Sequence, residues 1–348
     1  MITVIVIAKN EEERIEACLE SVKWADEIIV CDNGSTDKTL DLAKKYTNKI
    51  VIFNKEDFAA WRNKATEQAS GDWILYIDPD ERVLASLKEE ILELVKKGEK
   101  SAYAISRRNI IFGREVKYGP FWPDWVIRLI KKDELQEWVG KVHEYPKFKG
   151  KLGYTKNSLL HLTHRGVDQI VLKSLEWSKI DAHLRLEANH PKMSGWRFLR
   201  IFVTEIFNQG IKKDALEGWV GKVHEYPKFT GKLGYTKNSL LHLTHRGVDQ
   251  IVLKSLEWSK IDANLRLEAG HPKMSGWRFL RIFITEIFNQ GIKRGGFFNG
   301  TIGIMDSLLQ VFSMYMTYIR LWELQQGKPL EKTYEELDKK LITENFKY

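Results

Sequence analysis

The chain has 348 residues, 43% of them hydrophobic and 29% charged, with a formal net charge of +8. This balance excludes a disordered tail, a collagen-like fibre and a disulfide-stapled miniprotein, and the length accommodates two domains or one large domain with an appendage. Cys18 and Cys31 are the only cysteines; they give no disulfide framework, and with no secretory signal ahead of them a reduced, cytoplasmic setting is expected.

In chain order, Ile2 to Ala8 reads as a buried strand. Asn10 is placed to cap the following helix, whose first turn carries Glu11, Glu12 and Glu13 and whose buried face carries Ile15, Cys18, Leu19 and Val22. Further strands are expected at Glu27 to Cys31, Lys49 to Phe53 and Trp73 to Ile77, with helices around Asp37 to Tyr46, Phe58 to Ala69 and Leu84 to Lys97. This alternation predicts an α/β fold with a mostly parallel sheet covered on both faces. Strand-like runs such as Ala102 to Arg107 and Trp125 to Ile130 then suggest a mixed sheet edge.

From Asp133 the chain repeats itself. Asp133 to Lys213 recurs as Asp214 to Arg294, an offset of 81 residues with eight differences, among them Lys149/Thr230 and His183/Asn264. Each copy holds a Val-His-Glu-Tyr segment read as a strand, then helices around Val167 to Glu187 and Trp196 to Asn208 in copy one, each recurring 81 residues later. The second copy, with 13 basic and 8 acidic residues, supplies +5 of the +8 charge. Neither a basic stripe interleaved with aromatics nor a nucleic-acid-binding motif accompanies that charge, so no nucleic acid is expected as a partner. A natural duplication, an assembly artefact and deliberate engineering all account for the repeat equally well. After it, Met305, Leu308, Leu309, Phe312, Tyr315, Met316, Ile319 and Trp322 recur at helical spacing against Asp306, Gln310, Ser313, Thr317 and Arg320. Such a helix serves equally as core or on a membrane surface, but it is too interrupted to span one.

Three segments carry chemistry. Ile77-Asp78-Pro79-Asp80-Glu81 places two carboxylates at the end of an apolar strand, where open sheets bind ligands and a divalent cation on a diphosphate needs oxygen donors; a polar turn has the same composition. Cys31-Asp32-Asn33-Gly34-Ser35-Thr36-Asp37 is a turn in which Asp32 can accept from a ribose or uracil group, or Ser35 or Thr36 can cap a helix. Trp61-Arg62-Asn63-Lys64 offers bases to phosphate oxygens, or a solvated helix face.

With Val4-Ile5-Val6-Ile7-Ala8-Lys9-Asn10-Glu11-Glu12 and Gly71-Asp72-Trp73-Ile74-Leu75-Tyr76 around them, these segments resemble the family 2 glycosyltransferases of GT-A fold. Trp122-Pro123-Asp124, Arg128-Leu129, Val142-His143-Glu144 and Leu321-Trp322-Glu323 resemble its lipopolysaccharide core glucosyltransferase branch. The resemblance implies inverting transfer of a hexose, with glucose from UDP-glucose as the expected donor, to a lipid-linked or lipopolysaccharide-type saccharide. It assigns Mg²⁺ or Mn²⁺ to Asp78 and Asp80, the nucleotide sugar to Ala8, Asn10, Glu11, Asp32, Asn33, Arg62, Asn63 and Asp78, and the acceptor side to Trp122, Asp124, Arg128 and His143. Many relatives have an acid where Asn33 stands. The implied catalytic base is Glu144, with Glu225 as its repeat counterpart; the shorter connection from the Arg128 strand favours Glu144. His161 and His242 are candidates for a further metal ligand or for structural hydrogen bonding. The stripe of Trp196, Phe198, Leu199, Phe202 and Phe207 beside Arg197 and Arg200 suits core, lipid or acceptor.

The resulting division is a nucleotide-sugar-binding GT-A core at 1–132, an acceptor-side copy one at 133–213, copy two at 214–294 and a C-terminal amphipathic helical region at 295–348. The setting implied is the cytoplasmic face of the cell membrane, on an anionic surface, with a homodimer among the expected assemblies. Alternatives are a sugar-nucleotide-binding or assembly protein impaired by the duplication, and a soluble protein glycosyltransferase.

Overall fold

The computed structural model describes residues 1–53, 58–117, 123–140, 144–163, 165–187, 194 and 247–347. It has two compact units: Met1–Ile170 with Glu176–Leu184 and Leu330–Tyr348, and Val171–Leu175 with Arg185–Pro329. The division falls within copy one rather than at the repeat boundary.

The first unit is built on β1 (Ile2–Ala8), β2 (Glu27–Asp32), β3 (Ile50–Ile52) and β4 (Trp73–Ile77), parallel and ordered β3-β2-β1-β4. β1 is buried along its whole length, which is why it reads as an unbroken apolar run rather than an alternating one. Its residues feed two cores: Val4 and Val6 meet Ile15, Leu19 and Leu75 on one face, while Ile5 and Ile7 meet Ile29, Ala65 and Tyr76 on the other. Gly71 allows β1 and the turn before β4 to approach, since a Cβ there would lie 2.7 Å from the Thr3 backbone nitrogen.

The covering helices are α1 (Ile15–Val22), α2 (Thr39–Ala43), α3 (Phe58–Gln68) and α4 (Ala85–Lys97). α1 buries Ile15, Cys18, Leu19 and Val22 as expected. Asn10 does not cap it. The helix begins later, with Arg14 at the N-cap position, and Asn10 instead adopts φ 53°, a left-handed conformation that asparagine tolerates, with its Oδ1 accepting from Thr36 N at 2.8 Å.

Beyond β4 the sheet becomes mixed. It continues through β8 (Asp124–Lys131), β6 (Ala102–Ile111), β11 (Leu152–Thr163) and β5 (Glu81–Arg82), with β7 (Arg114–Val116) beside β6. β9 (Leu135–Val139) and β10 (Tyr145–Phe148) form a separate hairpin. The predicted Val-His-Glu-Tyr strand is therefore ordered as β10 from Tyr145 onward; Val142 and His143 lie outside the described residues. The helix expected after these strands is α5 (Val167–Glu187).

Its copy-two counterpart, α6 (Val248–Glu268), belongs to the second unit with α7 (Gly276–Ile287) and α8 (Gly300–Gln325). α6 buries Val252, Leu256 and Ala263, and its Ser259 Oγ accepts from Arg320 Nε of α8 at 2.7 Å. The buried face of α8 matches the expected one only in part: Leu308 and Met316 are buried as expected, but Ile304, Val311 and Leu321 are buried too, as are Thr317 and Arg320 from the face read as polar, Arg320 donating to Ser259 of α6. α9 (Leu330–Thr343) returns to the first unit.

Among the described residues, β9, β10, β11 and α5 thus come from copy one, and α6 and α7 from copy two. Deleting residues 166–246 joins Arg165 to Gly247, restores an Arg-Gly-Val sequence and leaves 348 less 81, or 267, residues. This chain is expected to unfold cooperatively within about 4 °C of the parent, a difference of about 1 kcal/mol. Calorimetric melting tests it; a broad or missing transition would show that the deleted residues are required.

Candidate active site

The carboxyl ends of β2, β1 and β4 lie side by side, with Ala8 registered against Asp32 and Val6 against Ile77. Asp32, Ala8 and Asp78 therefore share the edge at which open α/β sheets bind ligands. Asp32 is buried, and its carboxylate accepts from Gly34 N and Ser35 N, each at 2.9 Å, and from Ser35 Oγ at 2.5 Å. Gly34 closes this turn at φ +73°, where a side chain is strained. Asn33 N donates to Ala8 O at 3.1 Å, tying the turn to β1. Asn10 N donates to Ser35 Oγ at 2.9 Å and Glu11 N to Thr39 Oγ1 at 2.7 Å, so the β1 loop and the Asp32 turn form one bonded rim.

From this rim a chain of charged and polar groups crosses the sheet. Glu144 Oε1 accepts from Arg62 Nη2 at 3.2 Å, and the same nitrogen lies 3.3 Å from Asp78 Oδ1. Arg128 Nη2 bonds the other Asp78 oxygen and donates to Glu81 Oε1 at 2.7 Å. Arg107 lies 3.6 Å from Glu81 and grips Asp124 through Nε at 2.8 Å and Nη2 at 3.0 Å. Asn109 Nδ2 donates to Asp124 Oδ2 at 3.1 Å, Asn109 Oδ1 faces His161 Nδ1 at 2.5 Å, and His161 Nε2 faces Asp80 Oδ2 at 3.3 Å. Antiparallel pairing makes this possible. β8 runs back from the site beside β4, while β6 and β11 lie in register with Asn109 opposite His161.

Burial would raise the Asp78 carboxyl, but the Arg128 and Arg62 guanidiniums outweigh it and hold the group well below the usual carboxylate range. Arg62 is itself buried, its guanidinium carbon 4.7 Å above the Trp138 ring and 5.5 Å from that of Tyr76. Asn63 spends both ends of its amide on the Trp138 backbone, receiving Trp138 N at 2.7 Å and donating to Trp138 O at 3.0 Å. Its place is thus in the framework behind the site, where the sequence suggested a nucleotide contact. Arg128 and Asp124, expected on the acceptor side, are likewise members of the ion-pair chain. Trp122, His143, Glu225 and His242 lie outside the described residues, as does the Trp196 to Phe207 stripe.

Arg107 and Asn109 were missed by sequence reasoning. Their signal is a polar Arg-Arg-Asn run interrupting an otherwise apolar strand.

Among the described residues no group of three or more His, Cys, Asp or Glu side chains is arranged to hold a metal. The Asp80 and His161 pair nevertheless fits a divalent cation that takes its other ligands from a diphosphate and water. Asn109 is oriented by its bond to Asp124, which turns its Oδ1 toward His161 Nδ1 and sets the imidazole with Nε2 facing Asp80.

Residues 3–149 match the family model for glycosyl transferase family 2. These residues are a family 2 glycosyltransferase domain. The chain is 27% identical over 239 residues to the lipopolysaccharide core biosynthesis glycosyltransferase LpsC of Rhizobium meliloti, covering 63% of this chain and 85% of that one. It is 28% identical over 245 residues to the SPbeta prophage-derived glycosyltransferase SunS of Bacillus subtilis, covering 66% and 54%. Several other curated relatives are matched over about a third of their length or less, among them an uncharacterized Rickettsia bellii glycosyltransferase, 41% identical over 91 residues, 26% of this chain and 31% of that one. Among solved structures, S. aureus TarS 1-349 in complex with UDP-GlcNAc has a TM-score of 0.36 at 18% identity, covering 61% of this chain and 68% of that one. The mixed sheet, parallel over β3-β2-β1-β4, is the GT-A type expected from the sequence.

Proposed function

We propose that this glycosyltransferase moves a hexose, with glucose from UDP-glucose as the leading donor, onto a lipid-linked or lipopolysaccharide-type saccharide with inversion at the anomeric carbon. The observation that carries this reading is the convergence of Glu144, Asp78, Asp80 and His161 at the carboxyl edge of the parallel strands. The LpsC name supports the acceptor class.

Ala8, Asn10, Glu11, Asp32 and Asn33 would line the nucleoside end, and Asp80 with His161 would hold Mg²⁺ or Mn²⁺, with Asp78 beside them. When bound, the cation supplies charge neutralisation to the diphosphate. Glu144 is the base: its carboxylate takes the acceptor hydroxyl proton as that oxygen bonds the anomeric carbon, and the bond to the diphosphate oxygen breaks with its electron pair leaving on UDP. Arg62 holds Glu144 and Asp78 at a common nitrogen and so fixes the base relative to the donor.

Among the described residues no helix is long and apolar enough to cross a membrane. Within the second unit, Leu280, Ile284, Phe288 and Ile292 form an exposed stripe at four-residue spacing near Arg278 and Arg281. Such a stripe suits an anionic lipid surface on the cytoplasmic side.

Calorimetric titration with UDP in the presence and absence of Mn²⁺ tests the donor site. The expected result is metal-dependent binding that Asp80→Asn abolishes; folded parent chain without UDP binding would refute the reading and favour the assembly alternative.

A further inference from the structure

We infer that Asp338, on the C-terminal helix α9, is a positioning residue for the donor site and acts through Arg82 on the Asp78-Pro79-Asp80 turn. The inference rests on the donor-site reading above and adds a residue that no sequence motif marks.

α9 buries Tyr334, Asp338 and Leu341 along one stripe, so a carboxylate stands where helical periodicity calls for an apolar side chain. A buried carboxylate persists when it is paired and fully bonded. Arg82 meets that condition. It is completely buried, and its guanidinium places all five of its donors. Nε and Nη2 bind Asp338 Oδ1 and Oδ2 at 2.8 and 3.0 Å in a two-pronged pair. The second Nη2 proton reaches Arg14 O at 3.3 Å, and Nη1 bonds Pro79 O at 2.7 Å and Glu81 O at 2.8 Å.

The two carbonyls on either side of Asp80 are therefore held by a guanidinium whose orientation Asp338 sets. The carbonyl of Asp80 accepts from Leu162 N at 2.7 Å, next to His161, so three successive carbonyls of the turn are fixed. With its backbone pinned on both sides, the Asp80 carboxylate stays opposite His161 Nε2. Asp338 also lies 3.5 Å from Arg165, whose guanidinium carbon stacks 4.9 Å from the Tyr334 ring centroid. Loss of the Asp338 charge leaves Arg82 buried with one of its two Asp338-bound donors unmatched, and its cheapest response is to turn away from Pro79 and Glu81 toward other acceptors.

Asp338→Asn keeps the shape and one acceptor but removes the charge. Tyr334→Phe serves as control on the same helix: its hydroxyl receives Gly113 N at 2.9 Å and donates to Thr163 O at 3.0 Å, so it secures α9 without bonding the turn. UDP affinity with and without Mn²⁺ is measured by calorimetry on both variants and on the parent, beside thermal melting. Asp338→Asn is expected to weaken Mn²⁺-dependent UDP binding roughly tenfold, with metal-free affinity within about twofold, whereas Tyr334→Phe lowers the melting temperature and leaves both affinities unchanged. Unchanged Mn²⁺-dependent affinity in Asp338→Asn, or equal weakening in both variants, overturns the inference while the donor-site reading stands. A parent chain that does not bind UDP overturns both. If Asp338→Asn does not fold, Asp338→Glu, which keeps the charge and lengthens the arm by one methylene, is read by the same criteria.

Discussion

Glu144→Gln is expected to reduce sugar transfer by roughly 100- to 10,000-fold, the contribution of a positioned general base, while UDP affinity stays within about twofold. Glu225→Gln is expected to leave both unchanged. Glu144 directly precedes β10 and shares Arg62 with Asp78, so its carboxylate is tied to the donor-side strands by bonds of 3.2 and 3.3 Å on one nitrogen. Glutamine is close to glutamate in shape and still accepts from Arg62, but it cannot take the acceptor proton. The readout is product formation with an acceptor-containing cell-envelope extract, beside UDP titration on the same samples. Loss confined to Glu225→Gln would assign the base to copy two. Turnover unaffected by either substitution would remove the base from this glutamate altogether.

The largest stability effect is expected at Arg128. Arg128→Met should cost about 3–5 kcal/mol at pH 7, because it strands Asp78 and the fully buried Glu81 without the guanidinium that joins them. The penalty should depend on pH in a defined direction. In the parent, burial is outweighed by Arg128 and Arg62, so the folded Asp78 carboxyl titrates below its unfolded value. Its stabilisation is complete above the unfolded carboxylate pKa of about 3.9 and is lost as the pH falls toward the folded value. The variant lacks most of that contribution at neutral pH and has less to lose in acid. Urea unfolding of both chains from pH 7 to pH 3 should show the gap narrowing below about pH 4; a constant gap would mean that Arg128 acts by packing alone.

The first unit was legible wherever contacts are local or periodic. The apolar run of β1 and the Ile15, Cys18, Leu19, Val22 spacing of α1 each specify their own burial, and both were found as expected. Asn10 shows the limit of that reading: a good capping residue was diverted by Thr36, a partner the local sequence does not reveal. The buried stripe of α8 shows another, since it includes Arg320, which donates to Ser259 of α6, a partner far away in the chain.

The α/β alternation and the carboxylates at a strand end were readable from the chain alone, because strand and helix periodicity are properties of neighbouring residues; the glycosyltransferase reading rested on the resemblance of its motifs to family 2. The sequence also determined that two 81-residue units are near copies. It could not determine which copy serves which purpose, because α5 and α6 differ only at His183 and Asn264 and carry the same propensities. Tertiary structure placed β11 of copy one in the main sheet and Glu144 of copy one beside Arg62. It also brought His161 to Asp80, Arg128 to Asp78 and Asp338 to Arg82. These pairings join strands and a helix far apart in the chain, and their energies depend on burial and direction, which exist only after the sheet has closed around them.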